Sequence, residues 1–359
     1  MALSERILMG PGPCNPYPEA TAALSRPLLG HLDPQFLAVL DQTCDRLRTL
    51  WGTANPITLP VSGTGSAGME AALVNLVGPG DTVVVGVNGL FGERMCEVAS
   101  RCGADVVRVE APWGEALDPE AVVSAHPAPK VIALVHAETS TGVRNDVEAV
   151  AAAKGDALVL ADCVTSLGGI PVAVDAWGVD VAYSGTQKCL GVAPGLAPLT
   201  IGPRAWERRI RRPQSWYLDL GMIGDYTASA ARKYHHTAPV AMVTSLNAGL
   251  GVVIEEGLEG AWDRHARCGQ ALQDGLEALG LELWAPAGHR LPQLTTVVIP
   301  DGVDDAKVRA RLLHDYGIEI GGGVGAYAGK LWRIGCMGNT ARLRNVTLLL
   351  GALGELLGG

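Results

Sequence analysis

The sequence predicts an α/β protein, a large domain built on a mostly parallel sheet followed by a smaller C-terminal α/β domain. Short apolar runs such as Val83 to Val87, Val131 to Val135 and Val159 to Ala161 alternate with stretches of helical periodicity, the pattern of a doubly wound layer. Several runs end in glycine-rich or hydroxyl-rich turns, where such a layer carries its crevice. At 359 residues and 48% hydrophobic, the chain can bury one large core and a second, smaller one.

The formal charge of -9 is spread along the chain and no long Lys/Arg run occurs, which argues against nucleic acid or an anionic membrane as partner. Eight cysteines lie scattered without a C-x-x-C pair. Neither a zinc ribbon nor a disulfide framework is suggested, and free thiols in a reducing cytosol are expected. Met1-Ala-Leu-Ser-Glu-Arg6 lacks the basic and apolar regions of a signal peptide, and runs such as Val74 to Val77 are too short to span a bilayer. The expectation is a soluble cytoplasmic protein.

Taken in order, residues 1–16 read as an N-terminal arm, with Met9-Gly-Pro-Gly-Pro-Cys-Asn-Pro16 too rich in proline for helix or central strand. Helical spacing from Pro34 to Trp51 puts Phe36, Leu37, Leu40, Leu47 and Leu50 on one face. A strand-like Ile57–Ser62 then enters Gly63-Thr-Gly-Ser-Ala-Gly68, followed by the apolar-periodic Met69 to Leu76. Unpaired N–H groups of a first helical turn, glycines that let backbone approach a ligand, and the hydroxyls of Thr64 and Ser66 together make a phosphate cradle. A glycine-rich turn that merely packs helix on strand is the alternative. The letters also satisfy G-x-G-x-x-G, but Thr82 to Asn88 closes without the acidic residue a dinucleotide site requires, which disfavours an NAD-dependent dehydrogenase.

Phe91, directly after a strand end, is a candidate to stack on a planar ring or else a core aromatic. Strands at Val106 to Val109 and Val131 to His136 follow, and Thr139, Ser140 and Thr141 send hydroxyls toward the crevice. Val159-Leu-Ala-Asp162 and Val181-Ala-Tyr-Ser-Gly-Thr-Gln-Lys188 each begin as a buried strand and end in a charge that such a run should not contain. A desolvated lysine forms a Schiff base with an aldehyde cofactor, and a carboxylate nearby holds a pyridine nitrogen protonated. That is pyridoxal 5'-phosphate chemistry. The other reading is a structural ion pair, or two solvated charges.

In Leu331-Trp-Arg-Ile334, Arg333 lies between apolar neighbours. A guanidinium there asks for a planar anion such as a substrate carboxylate, or for an internal partner such as Glu319. Tyr234-His-His-Thr237 holds two histidines, but adjacent histidines point different ways and no third ligand stands at suitable spacing, which disfavours a metal. The remainder reads as helix (Val240 to Gly257), helix (Glu259 to Leu279, with Trp262, Ala266 and Leu272 in the core), strand (Leu294 to Ile299), helix (Asp304 to Tyr316), strand (Leu331 to Gly335) and helix (Thr340 to Leu357). The large domain is expected over 17–245 and the small one over 246–359.

Seven segments in order, Ser62-Gly-Thr-Gly-Ser66, Gly89-Leu-Phe-Gly92, Glu138-Thr-Ser-Thr-Gly142, Ala161-Asp-Cys-Val-Thr-Ser-Leu-Gly-Gly169, Tyr183-Ser-Gly-Thr-Gln-Lys188, Tyr234-His-His-Thr237 and Leu331-Trp-Arg-Ile-Gly335, carry a resemblance. The chain is similar to the alanine/serine-glyoxylate aminotransferases, class V members of the fold type I pyridoxal-phosphate enzymes, from about Leu8 to its end.

The resemblance implies a mostly parallel seven-stranded sheet and a homodimer with its sites at the subunit interface. It implies that Lys188 carries the internal aldimine and moves the α proton, and that Asp162 pairs with the pyridine nitrogen. Phe91 and Val164 cover the two ring faces, while Thr64, Gly65, Ser66 and Gln187 cradle the phosphate. Tyr234 and Thr237 reach the neighbouring subunit's phosphate. Ser140 lies by the cofactor's oxygen edge and, with Gly12, beside the substrate whose carboxylate Arg333 binds. Trp216-Tyr-Leu-Asp219 is expected at the interface or the channel wall.

Many relatives carry histidine at Ser66 and tryptophan at Phe91. The implied reaction is ping-pong transfer of an amino group from alanine or serine to glyoxylate or pyruvate. Cys336-Met-Gly-Asn-Thr-Ala341 and Pro16-Tyr-Pro18 bear a fainter resemblance to pyridoxamine-pyruvate aminotransferase. A cysteine desulfurase or lyase is a further alternative, though such an enzyme needs a cysteine on a mobile loop, whereas Cys336 lies beside a strand and Cys163 and Cys189 adjoin Asp162 and Lys188 in the chain core.

Overall fold

The computed structural model describes residues 4–358. Met1–Leu3, where the expected arm and the leader reading begin, and Gly359 lie outside the described residues. The centre is a seven-stranded sheet of β1 (Ile57–Ser62), β2 (Thr82–Val87), β3 (Asp105–Glu110), β4 (Val131–Val135), β5 (Leu158–Asp162), β6 (Val181–Tyr183) and β7 (Leu196–Ile201). Its spatial order is β1-β7-β6-β5-β4-β2-β3, with only β7 antiparallel to its neighbours. The expected mostly parallel seven-stranded sheet is what forms.

Helices cover both faces, so the inner strands are buried throughout and read as continuous apolar runs. Each fully buried Val or Leu in them contributes about 1.5–3 kcal/mol.

Local chemistry sets the helix limits. In α1 (Pro34–Trp51) the Asp33 side chain accepts from the Gln35 N–H, Pro34 opens the first turn, and Gly52 ends the helix at φ +57°. Phe36, Leu40, Leu47 and Leu50 are buried as their spacing predicts, and Leu37 is half-buried. α2 (Gly65–Leu76) starts straight out of β1, and α3 (Leu90–Arg101) out of β2.

α4 (Val240–Glu256) packs on the first core, and a second apolar cluster forms beyond it, where α5 (Leu258–Ala278), α6 (Asp305–Asp315) and α7 (Leu343–Leu357) pack on an antiparallel sheet. That sheet runs β8 (Leu294–Val298), β10 (Leu331–Gly335), β9 (Gly321–Gly322) in space. The helix expected from Thr340 begins at Leu343, after a 3-10 turn over Gly338–Thr340.

One core assignment is corrected. Ala266 is exposed and Trp262 half-buried, because the inward face of α5 runs through Ala261, His265, Cys268, Leu272 and Leu276. His265 is polar but fully satisfied inside. Its Nδ1 donates to the Ala261 carbonyl (2.7 Å) and its Nε2 accepts from the Gly338 N–H (2.9 Å), which fixes the neutral tautomer. Burial accordingly pushes its pKa down to about 4.

The N-terminal segment ties the two clusters together. Ile7–Leu8 pair in parallel with Ile318–Glu319, Met9 enters the second cluster, and the Cys14 N–H donates to the Gln187 carbonyl (2.9 Å). No helix among the described residues is long and apolar enough to cross a membrane.

Candidate active site

Asp162 ends β5 and Tyr183 ends β6, side by side in the parallel register. Five residues further on, Lys188 lies at the same carboxyl edge of the sheet. Both charged groups are almost wholly buried, Asp162 at 3% exposure and Lys188 at 8%. Burial, with the Arg333 charge behind it, pulls the Lys188 amine down to about 8, while burial raises the Asp162 carboxyl to about 6. Each feels the other's field, yet they form no ion pair within 4 Å, each being bonded elsewhere.

Lys188 Nζ instead donates to the Pro11 carbonyl. Asp162 is held on one oxygen by the Val164 N–H (2.9 Å) and on the other by the Tyr183 hydroxyl (2.7 Å). A structural ion pair is therefore not what these residues make.

Glycines allow close approach beside this pair. Gly12 adopts φ +114°, and a Cβ there would lie 2.5 Å from Lys188 Nζ. A Cβ on Gly65 would lie 2.7 Å from Val164 Cγ2, so Val164 and the start of α2 close on each other. Thr64, the N-cap of α2, makes no side-chain capping bond, and Thr64 and Ser66 are exposed at the mouth. The Gln187 Oε1 is buried without a hydrogen-bond partner among the described residues. It sits near the first turn of α2, since a Cβ on Gly185 would be 2.9 Å from it and 3.4 Å from the Gly65 nitrogen. A helix start with free N–H groups, two hydroxyls and an amide can hold an anion.

Phe91 and Ser140 are joined through a buried carboxylate that the sequence reading did not single out. Glu138 accepts from the Ser140 hydroxyl (2.6 Å), the Ser140 N–H (3.0 Å) and the Phe91 N–H (3.1 Å), while Ser140 Oγ accepts from the Leu90 N–H (2.9 Å). This knot fixes the first turn of α3 beside β4. Arg94, also missed, reaches back to Ser66 Oγ (3.1 Å) with its guanidinium 4.9 Å from the Phe91 ring centre. Its position one helical turn after Phe91 was the signal available.

In β10, Trp332 and Ile334 turn into the second cluster and Arg333 faces the other way. Its Nε donates to the Gly322 carbonyl (2.7 Å) and its Nη1 to the Thr139 carbonyl (3.4 Å), so Glu319 is not its partner. Burial lowers its pKa and Glu138 opposes that shift.

Tyr234 and Thr237 do not join the rest within this chain. Both are exposed, Tyr234 resting on the His31 ring (5.2 Å). Between them, His235 and His236 face each other through their Nδ1 atoms (2.8 Å), while their Nε2 atoms reach the Trp216 carbonyl and Ser62 Oγ.

The model of the family described as "Aminotransferase class-V" matches residues 15–335. The chain is a class-V aminotransferase. It is 38% identical to the (S)-ureidoglycine–glyoxylate transaminase of Bacillus subtilis (strain 168), over 98% of the chain and 90% of that protein. Among solved structures it superimposes on an alanine–glyoxylate aminotransferase from Nostoc sp. with a TM-score of 0.96, at 46% identity over 99% of the chain and 96% of the other. For a pyridoxamine-pyruvate aminotransferase from Mesorhizobium loti the TM-score is 0.93, at 30% identity over 99% and 93%. The aminotransferase thus has the fold of the fold type I enzymes that its sequence resembles.

Proposed function

We propose that this aminotransferase moves the amino group of a small amino acid, alanine or serine, to a small 2-oxo acid such as glyoxylate or pyruvate, with pyridoxal 5'-phosphate as cofactor. The observation that carries the reading is the buried, acid-free Lys188 amine sharing one sheet edge with the Asp162 carboxylate. Glyoxylate is named in both the ureidoglycine and the alanine relatives, which supports it as acceptor.

The residues present fit the cofactor. Asp162 keeps lone pairs beyond the two already engaged and can face a protonated ring nitrogen. Phe91 and Val164 are half-buried and suited to the ring faces. The orphaned Gln187 amide, with Thr64, Gly65 and Ser66, suits a phosphate. When bound, the cofactor supplies the electron sink that stabilises negative charge on the substrate.

The protein supplies the rest. Lys188 would hold the cofactor through Nζ and, when that amine is free, would take and return the substrate's α proton at the same atom. Its low pKa keeps that amine available near neutrality. Arg333 holds the carboxylate, with Ser140 and Gly12 bounding the same space. A ping-pong order follows, in which the donor's oxo acid leaves before the acceptor enters.

Trp216 (59% exposed), Tyr217 and Tyr234 leave exposed aromatic surface against His31, His235 and His236, and Leu28 and Leu32 are also exposed. Such surface supports a homodimer in which Tyr234 and Thr237 of each subunit complete the other's phosphate cradle. The arrangement of a large unit over 17–245 and a small one over 246–359, and a cytoplasmic location, belong to the same proposal.

Likeness to the pyridoxamine-pyruvate enzyme favours a second reading, with an amine form of the vitamin as donor. A desulfurase role is disfavoured because all eight thiols are buried and burial pushes the Cys336 thiol far up. The test is a half-reaction screen, each amine donor given alone with the visible cofactor band as readout. Alanine or serine should bleach the band and glyoxylate restore it. Colourless protein, or bleaching by pyridoxamine alone, would overturn the alanine/serine reading.

A further inference from the structure

Asp162 does not stand alone at the end of β5. Because β5 and β6 are parallel neighbours and Tyr183 is its register partner, the phenol oxygen comes to 2.7 Å from Asp162 Oδ2. A carboxylate only accepts, so Tyr183 donates, and no other side chain among the described residues bonds its hydroxyl. The ring is fully buried, and helix α2 lies directly on it at Gly68, where a Cβ would stand 3.1 Å from Tyr183 Cβ and 3.2 Å from Cδ2. One ring thus supports the helix that opens at Gly65 and bonds the acid at the bottom of the site.

We propose that Tyr183 is a positioning residue that keeps Asp162 a weak base, so that a proton shared with the cofactor's ring nitrogen stays on the nitrogen. The inference rests on the pyridoxal-phosphate reading above and deepens it. The proton balance is simple. A hydrogen bond donated to a carboxylate stabilises its anion and lowers its affinity for protons. Without that bond Asp162, already raised to about 6 by burial, would take the proton more readily. The ring would become neutral at its nitrogen and withdraw electrons less strongly. The Val164 N–H on the other oxygen fixes the carboxylate's orientation but is common to any side chain at 164. The phenol is the part that mutation can remove.

The test uses the cofactor-loaded protein and Tyr183→Phe, which keeps the ring under Gly68 and removes only the hydroxyl. Expected is a kcat roughly tenfold lower with the amino donor's KM within about twofold. The acid limb of the pH profile should rise by about one unit, since activity needs Asp162 ionised and is lost as pH falls through its pKa. Independently of turnover, the nuclear resonance of isotope-labelled ring nitrogen should move toward the unprotonated value. Site-specific fluorotyrosine at 183, a stronger donor of the same shape, should move the acid limb and the resonance the opposite way, and it stands as the test if the phenylalanine variant folds poorly. An unchanged resonance and acid limb in these variants would overturn the role of Tyr183. A wild-type protein that takes up no cofactor would instead sink the reading beneath it.

Discussion

Replacing Arg333 by Lys tests carboxylate recognition with a magnitude that the structure supplies. A guanidinium has five N–H donors, and two are spent on the Gly322 and Thr139 carbonyls, which leaves an edge with donors for a planar anion. Lysine keeps the charge but offers it from one atom, so one of two parallel bonds to the substrate is lost. A charge-assisted hydrogen bond contributes about 1.5–3 kcal/mol, or roughly 10–100-fold in KM at about 1.4 kcal/mol per tenfold. Donor and acceptor both carry a carboxylate, so both half-reactions should lose KM by the same factor while cofactor affinity stays within about twofold. Steady-state kinetics in each direction and titration of the apoprotein measure these. An unchanged KM for both substrates, or a fall in cofactor affinity matching the rise in KM, would refute carboxylate binding by Arg333.

Gly12→Ala places a methyl 2.5 Å from Lys188 Nζ at a φ of +114°, so cofactor uptake measured by the visible band should weaken about tenfold or more while the melting transition remains cooperative. Uptake by the apoprotein should accelerate as pH rises through about 8, where Lys188 loses its proton, and a flat rate between about pH 6 and 10 would contradict the assigned amine. Cys336→Ala should retain at least about half the amino-transfer rate, because this buried thiol has no part in the chemistry. Loss of the rate, or sulfur release from cysteine by the parent enzyme, would argue for lyase chemistry.

Much of this was legible in the sequence for identifiable reasons. The inner strands announce themselves because both faces are buried, and Asp162 stands out as a charge ending such a run. The Pro34–Trp51 helix carries its own cap, proline start and glycine stop in the letters. What was illegible depends on partners distant in sequence. Nothing local says that Tyr183 faces Asp162, since that follows from strand register, or that Glu138 knots Ser140 to the start of α3 across almost fifty residues. Arg333 could be read as needing a partner, but Glu319 was the wrong one, because alternation along β10 turns the guanidinium toward Thr139. Ala266 was misplaced because His265, a polar letter, occupies the true inward position.

The most direct test of the account is to reduce the cofactor-loaded protein with borohydride and locate the trapped adduct by peptide mass spectrometry. The reduced vitamin is expected on the peptide containing Lys188 alone, with no adduct in Lys188→Ala. An adduct on another lysine, or none from protein that carries the visible band, would contradict it.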